Sequence, residues 1–188
     1  LLRDADGAVS ITDSRNVFYL DLNGKNMSAL TVSGTNSPKL MDSKSGGTIS
    51  NITYRGGMLA ALLHSGWGFK KSGTWLTADE LFGTGATNVS VAETQIAAVG
   101  GSGGTVPYGS AATVKASVNP ENLTGLTYQW YERVGGSWRK IEGATASSYV
   151  SSELSIGNHF FTCAVTGSDG ASRLSGVAAV TVEQADLK

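Results

Sequence analysis

The chain has 188 residues, 14 Lys and Arg against 15 Asp and Glu, a net charge of −1, and 25 Gly against 3 Pro. Charged residues make up only 15% and no run of Lys or Arg exceeds two, so nothing predicts the basic face that a nucleic-acid partner needs. One Cys excludes an intrachain disulfide, and no stretch approaches the roughly 18 apolar residues of a membrane span.

Taken in order, residues 1–13 (LLRDADGAVSITD) read as a turn-containing arm. Its Asp4-Ala5-Asp6-Gly7 has the start of a calcium loop but lacks the third acidic ligand and the Glu at position 12, so a plain Asp-Gly turn accounts for it. NVFYLDL and MSALTVSG then flank Asn23-Gly24, the strongest short-range hairpin signal in the chain. Phe18, Leu20 and Leu22 alternate with Val17, Tyr19 and Asp21 and give one apolar face. A polar loop, TNSPKLMDSKSGG, precedes the strand TISNITYRG, with Ile49 and, after a phase shift, Ile52 and Tyr54 as core positions. MLAALLH fits either a short helix or a buried strand. TADELF is clearer: Thr77 three residues before Glu80 is a capping box, so a short helix follows and Gly83 ends it.

Composition shifts near residues 84–88, which sets the domain boundary: 1–86 as a small β-rich domain with one or two short helices, and 87–188 as a second domain. VSVA (89–92) has the pattern of an edge strand opening that second domain. GGSGG (100–104) reads as a flexible loop, and Val114, Ala116 and Val118 alternate inward on the next strand.

From about residue 105 to 183 the chain resembles bacterial and phage immunoglobulin-like modules. The residues that carry the resemblance are TYQWY around Trp130, IEGATASSY from Ile141 to Tyr149, LSIGNHFFTCAVTGSDG from Leu154 to Gly170, and the closing VAAVTV. The resemblance implies a β-sandwich built around Trp130, whose indole N–H must find a partner in the core. Tyr128 shares its strand face, and Gln129 and Tyr131 point the other way. Two positions depart from the pattern. The residue opposite Cys163 is Ala116 or a neighbour, so the inter-sheet disulfide, worth about 2–4 kcal/mol, is missing and Cys163 becomes a small buried hydrophobe. Phe161 takes the tyrosine-corner position, without the corner hydroxyl. The overall expectation is a mainly β protein whose second domain is an immunoglobulin-like sandwich lacking its disulfide.

Motifs for chemistry are sparse. His64 stands next to Ser65 without a Gly-x-Ser-x-Gly elbow, and His159 lies beside a strand start. Asp79 and Glu80 belong to a helix first turn, where negative charge is favoured. One Cys and two distant His make no zinc pattern, and no cofactor or metal is expected. Asn26, Asn51, Asn88 and Asn122 start Asn-x-Ser/Thr triplets, which a Ser/Thr/Asn-rich chain produces by composition. Two aromatic-basic sets remain. Tyr131, Arg133, Trp138, Arg139 and Lys140 lie at one hairpin and suit a ligand such as a glycan, with a merely solvated hairpin as the plainer reading. Trp67, Phe69, Lys70, Lys71 and Trp75 are either core of a small domain or, if exposed, a docking surface.

The resemblance implies a non-enzymatic phage virion component, a capsid decoration protein or tail or neck appendage. Its first domain would dock on other virion proteins in many copies or as a homo-oligomer. Its second would project from the virion surface and adhere weakly to host-surface glycans. Two alternatives stand beside this: a fragment of a bacterial cell-surface or secreted adhesin, and the accessory binding domain of a carbohydrate-active enzyme. The opening Leu1-Leu2-Arg3, without Met, suggests a start further upstream.

Overall fold

The structure, a computed structural model, describes residues 2–3, 6–12, 19–34 and 36–184. Two compact units divide it, Leu1–Gln95 with Gly170–Ser172, and Ile96–Asp169 with Arg173–Lys188. Asp4 and Ala5 of the calcium-like tetrapeptide, and Val17 and Phe18 of the alternating run, lie outside the described residues.

The first unit is a stack of chain coils. Strands β1 (Leu2–Arg3), β3 (Tyr19–Asp21) and β5 (Lys39–Met41) form one parallel sheet, while β2 (Gly7–Ile11), β4 (Asn26–Val32) and β6 (Thr48–Tyr54) form the parallel part of another. The chain thus alternates between two sheets, adding one strand to each per coil, as a parallel β-solenoid does. Register puts Leu2, Leu20 and Leu40 in one ladder, which a parallel bridge extends to Leu63. On the second sheet Met27-x-x-Leu30-x-Val32 sits on Ile49-x-x-Ile52-x-Tyr54, every named side chain buried.

This corrects three expectations. Asn23-Gly24 does make a turn, with φ of 51° and 76°, but the strands on either side of it enter different sheets and do not pair with each other. Local turn chemistry reports the reversal and not the partner. The expected arm contains β1 and β2, the first coil, and the expected polar loop contains β5.

An antiparallel arrangement follows the parallel stack. MLAALLH contains a 3₁₀ turn at Leu59–Leu62, followed by β7 (Trp67–Lys71), β8 (Thr74–Trp75) and α1 (Ala78–Leu81). The capping box is present: Thr77 Oγ1 accepts from the Glu80 N–H at 3.3 Å, and the Glu80 carboxylate accepts from the Thr77 N–H at 2.7 Å. Strand β9 (Gly85–Glu93) pairs antiparallel with both β6 and β7. Residues 89–92, expected to open the second domain, are therefore central to the sheet of the first.

In the second unit, β10 (Ala98–Ser102), β12 (Thr113–Asn119) and β15 (Ser148–Val150) form one sheet. The other runs β11 (Gly104–Pro107), β18 (Ala178–Glu183), β16 (Gly157–Thr166), β13 (Thr127–Val134) and β14 (Ser137–Lys140), with β17 (Ser172–Leu174) also paired to β16. This order, with the first strand shared between the two sheets, is an immunoglobulin-like β-sandwich. GGSGG is not a flexible loop. It is where the chain leaves β12 and moves to β18, and the glycines permit the close approach: a Cβ on Gly101 would lie 2.2 Å from the Gly176 carbonyl oxygen and one on Gly103 2.1 Å from that of Ala179.

Trp130 is fully buried and its indole N–H donates to the Ala146 carbonyl at 2.9 Å. It lies opposite Cys163, with Val114, Val165 and Val180 in the same core. Where a disulfide is missing, hydrophobic packing holds the two sheets together. Cys163 is buried and free, and desolvation pushes its thiol up to about 12. Phe161, in place of the corner tyrosine, is buried with its ring 6.1 Å from that of Tyr149.

Candidate functional site

The β13–β14 hairpin turns at Gly135-Gly136, both with positive φ, the conformation of a tight hairpin turn. Its register sorts the expected ligand residues. Tyr131 faces Lys140 and Arg133 faces Trp138, so these four share a sheet face, while Arg139 faces Glu132 on the opposite one. Tyr131 is only 5% exposed, so it cannot offer a ring face to a ligand. Pointing away from the sandwich core did not make it accessible. Lys140 is engaged with Glu142 at 3.5 Å in an exposed pair. What stays accessible is Arg133 with the half-buried Trp138. The register of β13 on β16 ends at Glu132–Phe161, and the next residue of β16, Phe160, is 37% exposed. Sequence reading missed Phe160 because its neighbour Phe161 carried the strand's core signal.

The aromatic-basic set of the first unit does not form one surface. Phe69 is 1% exposed and belongs to the core. Trp67 and Lys71 lie on the Phe69 side of β7, and Lys70 lies on the other. There Lys70 pairs across the strands with Trp75, its Nζ 4.3 Å from the ring centroid, over a Gly68 that leaves room for the indole.

Each histidine is committed to a backbone carbonyl. His64 Nδ1 donates to Ser65 O at 2.9 Å, with its ring 5.3 Å from that of Tyr19. His159 Nε2 donates to Ser155 O at 2.9 Å and its Nδ1 lies 3.7 Å from Glu132. Partial burial, and then the Glu132 charge, raise the Tyr149 phenol above its ordinary value. Among the described residues no group of three or more His, Cys, Asp or Glu could hold a metal.

A pocket of 420 Å³ opens in the first unit. Ile52, Leu59 and Leu76 give it an apolar lining, and Asn51, Lys71, Glu80 and Thr87 line it with polar groups. It forms because β7 and β9 bring Lys71 and Thr87 together, Lys71 Nζ donating to Thr87 Oγ1 at 3.4 Å, and the capping box holds Glu80 in place. Sequence reading used Glu80 only as a cap and Lys71 only as part of an aromatic group, since strand neighbours from distant segments carry no local signal.

No protein-family model matches this sequence, and no curated protein matches it. Among solved structures, the chain is similar to the extracellular domain of a one-component system from B. thetaiotaomicron, at 10% identity and a TM-score of 0.33, covering 64% of this chain and 16% of that one. It is also similar to fibronectin(III)-like modules of Clostridium thermocellum CbhA, at 13% identity and a TM-score of 0.31, covering 66% of this chain and 82% of that one. The immunoglobulin-like assignment of the second unit rests on its own strand order and buried core.

Proposed function

We propose that this chain is a non-enzymatic part of a bacterial surface adhesin, in which a β-solenoid serves as stalk and the immunoglobulin-like sandwich as a contact module. The observation that carries this reading is the parallel ladder of the first unit. Stacked coils stabilise one another through their neighbours, a construction that suits a structural support for a contact module. The cross-strand pair of Trp138 and Arg133 supplies an aromatic-basic contact surface of the kind that carries binding energy, and multivalent display would raise a weak affinity. No observation in the fold favours the virion setting over the cell surface.

The test is surface labelling of intact source cells with an antibody to this chain, beside density-gradient separation of particles. Labelled cells, with the chain in the envelope fraction, support the adhesin. Unlabelled cells with the chain at fixed stoichiometry in phage particles contradict it.

A further inference from the structure

The Lys71 side chain makes no ion pair among the described residues; its one hydrogen bond is the long one to Thr87. Both bonds that the Glu80 side chain accepts from Thr77 fall on Oε2, which leaves Oε1 open. Asn51, on β6, also lines this pocket. Lys71, Asn51, Thr87 and Glu80 therefore line one pocket beside Ile52, Leu59 and Leu76. At 420 Å³ the pocket falls within the roughly 300–1,000 Å³ usual for small-molecule sites.

We propose that this pocket binds a small hydroxylated carboxylate, the class of a single sugar-acid ring. The ligand carboxylate would meet the Lys71 ammonium in a charge-assisted hydrogen bond. Neighbouring hydroxyls would donate to Glu80 Oε1 and exchange hydrogen bonds with Asn51 and Thr87, while the C–H face of the ring meets the edge of Leu76. The carboxylate of Glu80 disfavours a bare anion without hydroxyls to donate to it, which separates this class from simple carboxylates. The site goes beyond the adhesin reading and does not depend on where the protein is displayed.

The experiment is NMR titration of the whole chain with glucuronate, its methyl glycoside, glucose and acetate, repeated on Lys71→Gln and Asn51→Ala. Expected is saturable binding of glucuronate with Kd on the order of 1 mM, at least about tenfold weaker for glucose and acetate and about tenfold weaker in Lys71→Gln. The perturbed amides should centre on Leu76 and Thr87. Binding of the methyl glycoside equal to glucuronate identifies a glycan residue as the source, and loss of it identifies the free acid. No saturable shift with glucuronate, equal affinity for glucose, or unchanged affinity in a natively folded Lys71→Gln would overturn the proposal.

Discussion

At the residue scale, two buried aspartates hold the coils of the first unit together. Asp21 and Asp42 are both fully buried. Asp21 accepts from the N–H groups of Asn23 and Ser43 at 3.0 and 2.9 Å and from the Ser43 hydroxyl at 2.6 Å. Asp42 accepts from the Gly24 N–H at 2.6 Å and the Gly47 N–H at 2.7 Å. Each carboxylate therefore joins its own corner to that of an adjacent coil. Asp42→Ala should leave two N–H donors unsatisfied and cost roughly 3 kcal/mol, with Asp42→Asn milder because one oxygen remains, as denaturant unfolding would show. Cys163 gives a second prediction. Its thiol stays protonated in the folded protein up to about 12, against 9.0 as its ordinary value, so the folded state holds a proton that the unfolded chain loses first. Stability from this group is complete below pH 9 and falls as pH rises toward 12; Cys163→Ala should unfold with a shallower alkaline slope. Iodoacetamide should leave Cys163 unmodified in native protein and alkylate it in denaturant, and rapid native alkylation would contradict the buried placement.

Among the elements, what was legible in the sequence was what local chemistry specifies. Thr77 and Glu80 meet within one turn, and Trp130 with the Gly135-Gly136 turn sets the hairpin within ten residues. The coils were hidden because a parallel pairing joins segments some twenty residues apart, and no local signal marks it. A trace did exist: the broken alternation Met27-x-x-Leu30-x-Val32 recurs as Ile49-x-x-Ile52-x-Tyr54, and a search for repeats would have aligned the two. The same two coils end in Gly34 and Gly56, where a Cβ on Gly56 would lie 1.6 Å from the Gly34 carbonyl oxygen. Gly56→Ala must push one corner off the other and should lower stability by about 2–4 kcal/mol, read as a drop in Tm; an unchanged Tm would show the corners are not in contact. In the sandwich, Gly103→Ala meets the Ala179 oxygen in the same way and should unpair β11 from β18, seen as faster amide exchange of Val106.

For the whole molecule, composition indicated a mainly β chain and the resemblance indicated the sandwich, and both agree with the structure. The candidate site was less legible, because which residues share a face depends on register: Arg139 left the hairpin set, and the pocket draws on β6, the 3₁₀ turn, β7, α1 and β9. The stalk role depends on the coils being stacked in parallel, against the Asn23-Gly24 signal for a hairpin. Cysteine pairs separate the two topologies. Thr31 and Thr53 are register partners on adjacent coils, at a strand spacing of about 4.8 Å that a disulfide accepts. A two-residue hairpin at Asn23-Gly24 would instead bring Tyr19 opposite Ser28. The most direct measurement is oxidation of the two double variants, Thr31→Cys/Thr53→Cys and Tyr19→Cys/Ser28→Cys, followed by mass analysis of the linked peptides. Closure of the Thr31/Thr53 pair with the Tyr19/Ser28 pair left reduced is the predicted result; closure of Tyr19/Ser28 alone would contradict the solenoid and the stalk built on it.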